Sequence, residues 1–318
     1  MIVSKDGSFA RIVFLWQWKY TVYYIVAATL VVGVHELYPT LRELLGWAWL
    51  PTELREFLEL PTLPLAVVGA ALGIFVSFRT NQAYDRWWEG RKLWGRMINT
   101  SRHFTTQVVS YLRQGNDGPT EIQRRLVLRH VTYVHALRCL LRGQDPFGDP
   151  DVKAHLEPDD SLKSESNLTH ALLQRQLDEL AELNREGALN DFRLQSMDQS
   201  LRELLDIQGG CERIKKTPMP PIYALLATRI VQFYAFLFPL GVVHDLHWWA
   251  IPTSLLVCTA FSLIAEAGRV LEDPFTMFFN GLPLSAISRM IEVNVRQRLG
   301  ETDLPPMLQP TPGYAVLM

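Results

Sequence analysis

Residues 59–96 constrain the fold of this chain more than any other stretch. Between Glu59 and Arg79 there is no Asp, Glu, Lys or Arg, and this run is long enough for one helix to cross the ~30 Å apolar layer of a bilayer. From Arg79 to Arg96 charged residues recur, and no Pro interrupts the pattern. We therefore predict one long helix that leaves the membrane and continues into water.

Small residues repeat along the apolar half of this predicted helix. Gly69, Gly73 and Ser77 recur at every fourth position, so they share one face, and such a face lets helix backbones approach closely in lipid. A second stripe beside it consists of Ala70, Ile74 and Phe78. Taken alone, the small-residue spacing indicates ordinary helix packing more than a function.

Three further apolar runs are predicted to span the membrane. They are Tyr20 to Val34, Ile230 to Val243 and Leu246 to Ala265. The first run follows basic residues, as in a signal peptide, but Trp16 and Trp18 precede it and no small-residue cleavage pattern follows it. With the run at 60–78 the chain has four predicted spans, and the turn His244-Asp245 joins the last two into a hairpin.

Charge predicts the orientation of these spans. Lys19, Arg79, Lys215 and Arg269 flank them on one side, whereas the loop 36–59 is acidic. Lys and Arg concentrate in the cytoplasmic segments of membrane proteins, so both termini and the long middle segment are expected in the cytoplasm.

The chain is predicted to divide into five segments. They are 1–79 with the first two spans, 80–216 as a helical cytosolic domain, 217–267 with the last two spans, 268–302 as a cytosolic helical segment, and 303–318 as a Pro-rich tail. Apolar periodicity predicts helices up to Leu112, from Thr120 to Leu141, around Leu173 to Leu183, around Met197 to Leu204, and from Leu284 to Leu299. A breaker cluster at 115–119 separates the first two of these helices.

Composition excludes several classes of function. A net charge of −2 over 318 residues lacks the basic excess of a nucleic-acid binder. The three cysteines are too few and too scattered for a disulfide framework, and no spacing resembles a zinc site. No phosphate-binding Gly-rich loop and no nucleophile elbow is present, so no catalytic residue and no cofactor is expected. The turn His244-Asp245-x-His247 has metal-binding residue types, but such a trio is more often a plain polar turn.

Other polar residues have a simpler interpretation. His130 and His135 on the second soluble helix are interpreted as ordinary interface or surface residues. On the long helix, Glu89 with Arg91 and Arg96 is predicted to form helix-face ion pairs, which are weak when exposed. The density of such charges beside tryptophans indicates a packed protein interface.

Several short motifs resemble those of the bestrophin family. Residues 78–95, F-R-T-N-Q-A-Y-D-R-W-W-E-G-R-K-L-W-G, resemble the family signature. The bacterial family segment before the third span is similar to Cys211-Glu212-Arg213-Ile214 with Thr217-Pro218-x-Pro220. The family segment after the fourth span is similar to Glu272-Asp273-Pro274-Phe275 with Leu282-Pro283-Leu284. The motifs follow the family's order, and the resemblance covers residues 1 to about 300. The signature positions are Arg79, Asn81, Tyr84, Arg86, Glu89, Arg91, Trp94 and Gly95.

The resemblance implies an all-α homopentameric ion channel around one axial pore, in the inner membrane of a bacterium. It places an apolar neck at Ala70, Ile74 and Phe78, which outweighs plain packing as the interpretation of that stripe. The small-residue stripe beside it is expected to let neighbouring helices close around the pore. A cytosolic constriction is implied at Gln195, with Leu194 as the alternative. The implied partners are copies of the chain, membrane lipid and permeant ions, and no nucleic acid.

One motif departs from the family pattern. Calcium-gated animal bestrophins carry a run of acidic residues after the Pro-Phe pair, and such oxygen ligands hold Ca²⁺. Here Thr276-Met277-Phe278-Phe279 follows that pair. Calcium gating at this place is therefore not expected.

Three classes of function remain open at this stage. The first is an ion channel, for which the family label favours chloride or other anions, while some bacterial relatives pass monovalent cations. The second is a membrane-anchored scaffold or interaction protein without a pore. The third and weakest is a membrane enzyme, because no catalytic group is recognised. An apolar neck does not choose the sign of an ion, and the vestibule charges that do so are not located by the sequence.

Overall fold

The computed structural model is all-helical in the residues that it describes, which are 8–45, 60–112, 118–278 and 280–309. Its α-helices in chain order are α1 (Ser8–Leu44), α2 (Thr62–Tyr111), α3 (Glu121–Leu141), α4 (Pro150–Lys153), α5 (Leu168–Arg185), α6 (Asp191–Lys216), α7 (Pro221–Leu246), α8 (Ala250–Leu271) and α9 (Leu284–Arg298). Single 3-10 turns lie at Pro146–Gly148, Asp160–Ser164 and His247–Trp249. Most of the predicted acidic loop, the breaker residues 115–117 and the end of the Pro-rich tail lie outside the described residues.

Helix α2 confirms the prediction of one continuous helix. It contains 50 residues, which corresponds to a length of ~75 Å at 1.5 Å per residue. Its only proline, Pro64, lies in the first turn, where a missing N–H leaves no hydrogen bond unmade. The change from apolar to charged residues at Arg79 therefore occurs without a break in the helix.

Three helical stretches of the described chain are long and apolar enough to cross a membrane, namely Gln17–Tyr38, Thr62–Tyr111 and Pro221–Leu271. The last comprises α7, the 3-10 turn and α8, and His247 in the turn has a φ of 50°. The rings of Tyr234 in α7 and Phe261 in α8 contact each other with centroids 5.8 Å apart. Because the two residues lie at similar distances before and after the turn, the stretch folds back as a helical hairpin.

The chain divides into two compact units. The membrane unit consists of the described residues up to Asp85 together with Met219–Glu272, and the second unit consists of Arg86–Pro218 and the described residues from Asp273 onward. Helix α2 contributes residues to both.

Packing in the membrane unit depends on small residues of α2. An ideal Cβ on Gly69 would lie 2.5 Å from Tyr234 Oη, and one on Gly73 would lie 3.4 Å from Phe261. Ser262 donates a buried hydrogen bond of 2.8 Å to Gln17, which ties α8 to α1. The two glycines therefore accommodate aromatic side chains of α7 and α8 in their own chain, and their role in packing helices around a pore stays a prediction.

The second unit has a hydrophobic core built around α3, and the two histidines of that helix, predicted as interface or surface residues, lie inside it. His130 and His135 are both fully buried. Burial lowers the pKa of His130 to about 4, so this ring is neutral at pH 7. The sequence could not show this because α3 is buried on nearly all sides, and apolar periodicity then no longer separates inside from outside.

His135 belongs to a buried ionic network that joins α3 to α9. Its Nε2 lies 3.1 Å from one carboxylate oxygen of Glu292, and His155 Nε2 lies 3.2 Å from the other. Arg289 and Arg296 each donate to the same carboxylate at 3.0 Å. Burial raises the pKa of the Glu292 carboxyl, but the hydrogen bonds from both histidines and the nearby Arg289 charge outweigh it and hold that pKa well below its usual range.

Replacing Gly69 by Ala should destabilise the membrane unit. The added Cβ would collide with the Tyr234 hydroxyl, and overpacking of this kind lowers the free energy of unfolding by about 1–3 kcal/mol. Thermal unfolding of the purified protein in detergent measures the effect. Gly33→Ala is the matched control, because no atom lies within 4 Å of an ideal Cβ at that glycine of α1. Equal melting temperatures for the two variants would contradict the packing described here.

Candidate functional site

The predicted neck residues lie on a face of α2 that the rest of the membrane unit leaves open. Ile74 is 59% exposed and Phe78 is 64% exposed, and Ala70 is exposed as well. On the opposite face of the same helix Leu72 and Val76 are buried in the membrane unit. This stripe therefore carries large apolar side chains without cover from the described part of the chain.

The two candidates for the cytosolic constriction differ in burial. Both lie in the first turns of α6, which is capped by Asn190, whose side chain accepts a hydrogen bond from the N–H of Arg193. Leu194 is half-buried and packs against the core of the second unit, whereas Gln195 is exposed. Gln195 is thus the candidate whose side chain is accessible from outside the unit, whereas Leu194 packs against the hydrophobic core.

An aromatic residue beside Gln195 was missed by sequence reasoning. Phe192, in the first turn of α6, is 85% exposed. The buried residues of this helix include Met197, Leu201 and Leu204, and Phe192 lies off their stripe. That mismatch between a large apolar side chain and the buried periodicity is the signal that points to Phe192.

Several signature residues attach α2 to α6 within the second unit. Arg86 donates to the carbonyl oxygens of Thr217, at 2.7 Å, and of Ile214 at the carboxyl end of α6. The last carbonyls of a helix have no partner inside the helix, and a guanidinium also suits the negative end of its dipole. Arg86 therefore acts as a cap for α6.

Ion pairs of α2 also reach α6, which corrects the predicted pairs along α2 itself. Glu89 accepts a hydrogen bond from Arg213, and Arg96 Nη2 lies 2.6 Å from Glu203. Arg91 instead places its guanidinium over Gly95, where an ideal Cβ would lie 3.6 Å from Nη1. Glu89 and Arg96 thus pair with residues of α6 and not with each other.

The aromatic and small signature residues pack in the same region. Trp94 is fully buried in the core of the second unit. Trp87 donates its indole N–H to the carbonyl oxygen of Asn280 at 2.8 Å, and an ideal Cβ on Gly90 would lie 3.0 Å from Pro274. The segment after α8 is therefore held against α2.

The first signature residues differ among themselves in burial. Arg79, in the membrane unit, is buried and donates to the carbonyl oxygen of Ala265 at 3.3 Å. Asn81 and Tyr84 are exposed. These two side chains lie just after the neck stripe, on the part of α2 that remains in the membrane unit.

The structure also locates the segments considered for metal binding. Among the described residues, no group of three or more His, Cys, Asp or Glu side chains is arranged to hold a metal ion. In the segment after α8, where calcium-gated bestrophins carry their acidic run, Asp273 accepts hydrogen bonds from Lys215 at 2.6 Å and from the N–H of Phe275 at 3.0 Å. Phe279 of this segment lies outside the described residues. His244 and Asp245, predicted as the turn of the hairpin, lie in the last turn of α7, and the chain reverses at His247–Trp249 instead. His244 contacts Asp245 and His247 contacts Glu36, so the two histidines have different carboxylate partners.

Comparison with known proteins gives a consistent result. The family model described as Bacterial/Fungal Bestrophin protein matches residues 8–297. A voltage-dependent anion channel-forming protein of Ralstonia nicotianae is 32% identical over 261 residues, covering 80% of this chain and 82% of that protein. The protein of that description from Escherichia coli K12 is 31% identical over 254 residues, covering 79% and 81%.

Solved structures agree with the sequence comparison. A crystal structure of a bacterial bestrophin homologue from Klebsiella pneumoniae has a TM-score of 0.75 and 29% identity, covering 90% of this chain and 99% of that chain. A form of that homologue with a mutation L177T gives a TM-score of 0.77 and 28% identity, covering 88% and 99%. The chain is therefore a membrane protein with the bestrophin fold and belongs to the bacterial and fungal bestrophin family.

Proposed function

We propose that this protein forms a homopentameric channel that conducts small monovalent anions, chloride among them, through a neck lined by Ala70, Ile74 and Phe78. The observation that carries the proposal is the uncovered apolar stripe of α2, on which Ile74 and Phe78 are more than half exposed. Exposed apolar patches of this kind mark surfaces that meet another molecule or a functional passage. The stripe lies on the helix that carries the family signature, which supports the pore over a simple lipid contact.

Five copies of α2 around one axis would stack three apolar rings. Residues at every fourth position are ~6 Å apart along a helix, so the rings would follow one another closely. The Ala70 ring would be the widest, and the Ile74 and Phe78 rings would form a poorly wetted barrier to ions. The exposed Gln195, with Phe192 beside it, supports a second constriction built from the first turn of α6.

The sign of the conducted ion rests on a different argument. Relatives that are 32% and 31% identical are named anion channel-forming proteins, which supports anion conduction here.

One observation favours the alternative, a channel selective for monovalent cations. Asp85 is exposed and lies two helical turns after Phe78 on the same face of α2, so five copies would place a ring of carboxylates beyond the neck.

The proposed orientation places four spans in the inner membrane with both termini in the cytoplasm. The hairpin of α7 and α8 supports four crossings rather than three, since each of its arms is long enough to span a bilayer. The basic flanks at Lys19, Arg79, Lys215 and Arg269 support the cytoplasmic side for the termini.

Membership of a channel family also argues against an enzyme, and a membrane-anchored scaffold is the remaining alternative. The mass of the purified oligomer distinguishes these, because a scaffold has no reason to form a ring of five.

Bilayer recordings in asymmetric NaCl test the selectivity. For an anion channel we expect a reversal potential close to the chloride equilibrium value. Asp85→Asn should move it further in that direction, because it removes a ring of charges that attracts cations. Asp160→Asn is the control, since Asp160 is an exposed acid in a 3-10 turn of the second unit. A reversal potential close to the sodium equilibrium value would replace the anion channel by the cation-selective alternative.

Substitutions in the neck test the pore itself. Ile74→Ala or Phe78→Ala should raise ion flux into liposomes because either change widens the barrier, and Ala70→Ile should lower the flux. Phe233→Ala is a matched control, because Phe233 on α7 is 69% exposed in the same unit and lies outside the stripe. If the stripe only packs against other helices, Ile74→Ala would instead destabilise the assembly by ~2–5 kcal/mol. Intact pentamers with unchanged flux in both Ile74→Ala and Phe78→Ala would exclude the neck.

Channel activity should not require micromolar calcium. The segment after Phe275 lacks the acidic run of the calcium clasp, and the neighbouring Asp273 is already paired with Lys215. Currents measured in chelator and after addition of Ca²⁺ should therefore agree. Currents that vanish in chelator and return with Ca²⁺ would show that another calcium site controls the channel.

A further inference from the structure

A polar cavity of about 450 Å³ lies between α2 and α9 in the second unit. Its walls are formed by Arg102, Thr105 and Thr106 on α2 and by Asn294, Gln297 and Arg298 on α9. Each trio follows the spacing i, i+3 and i+4, so each forms one continuous helix face. None of these residues belongs to the proposed neck or to the constriction on α6.

The cavity has an excess of positive charge. Arg102 donates through Nε and Nη2 to the amide oxygen of Asn294, at 3.0 and 2.6 Å, so its partner is neutral. Arg298 is exposed and forms no ion pair within the part of the chain that the structure describes. No Asp or Glu is among the described residues that line the cavity. Two guanidinium charges therefore border one space without a carboxylate to balance them.

A buried hydroxyl in the same wall also lacks a partner. Thr105 is 1% exposed, and its Oγ1 has no hydrogen-bond partner among the described residues. Most buried polar side-chain atoms in proteins are hydrogen-bonded, and Thr105 Oγ1 is closed to the cavity itself, so a ligand would reach this unpaired hydroxyl by a small shift of the wall. This observation is independent of the charge of the two arginines.

We propose that the cavity binds a small phosphate-bearing molecule. A phosphate monoester carries a charge of about −1.5 to −2 at pH 7, which matches two guanidinium groups better than a single carboxylate does. Its oxygens accept charge-assisted hydrogen bonds from arginine and further bonds from hydroxyls such as that of Thr105. The volume lies in the range of roughly 300–1,000 Å³ typical of small-molecule sites, which leaves room for an organic group beyond the phosphate. The binding does not depend on ion conduction.

Isothermal titration of the full-length protein in detergent tests the site, with glucose 6-phosphate, inorganic phosphate and glucose as probes. Glucose 6-phosphate should bind and glucose should not. Arg102→Gln and Arg298→Gln should each weaken binding about tenfold or more, since each removes a charge-assisted hydrogen bond. Arg185→Gln is the matched control, because Arg185 is an exposed arginine at the end of α5, outside the cavity. If inorganic phosphate binds as tightly as glucose 6-phosphate, the phosphate site stands and the free ion is its ligand.

Thr105→Val separates binding from folding. Without ligand this nearly isosteric change should leave the melting temperature unchanged or raise it, because it removes an unpaired buried hydroxyl. With glucose 6-phosphate it should lower the affinity. Equal binding of glucose and glucose 6-phosphate, or unchanged binding in all three cavity variants, would overturn the proposal. The proposal would also be overturned by two results together: the unmodified protein binds no phosphate, and the Arg298→Gln protein dissociates into subunits. A second copy of the chain would then be the occupant of the cavity.

Discussion

A segment inside lipid has to satisfy every backbone N–H and C=O within the protein, and α2 does so by remaining helical from Thr62 to Tyr111. Because the backbone N–H and C=O groups bond to each other within the helix, no side chain is needed as their partner. One face of the helix can therefore pack while the other stays open. The packed face includes Leu72 and Val76, and the open face carries Ile74 and Phe78. Both compact units contain a part of this one helix.

The signature residues hold the second half of this helix in place. Arg86 binds the end of α6 through its carbonyl groups, and the pairs Glu89–Arg213 and Arg96–Glu203 repeat the attachment along the helix. Exposed ion pairs contribute only about 0–1 kcal/mol each, so the larger stabilisation comes from Trp94, which is fully buried. The polar contacts instead fix the rotation of α2 about its axis, because each of them tolerates only one orientation.

Much of this architecture could be predicted from the sequence, but the partners of individual residues could not. The long helix follows from an uninterrupted pattern, and hydropathy alone marks the apolar runs. Periodicity reports which residues share a face without saying what covers that face. Periodicity therefore predicts close helix packing at Gly69, but only the structure shows that Tyr234 of its own chain fills the space. Burial likewise separates Leu194 from Gln195, which adjacent sequence positions cannot do, and Phe192 was found only from its exposure.

The continuity of α2 has a consequence for how this sequence can change. One residue inserted or deleted between Phe78 and Arg86 would turn the two parts of the helix by about 100° relative to each other. The apolar stripe and Arg86 would then no longer keep their present angle about the axis of α2. Length variation in this stretch is therefore restricted to steps that approximate whole turns, while the loops outside the helix can gain or lose residues one at a time.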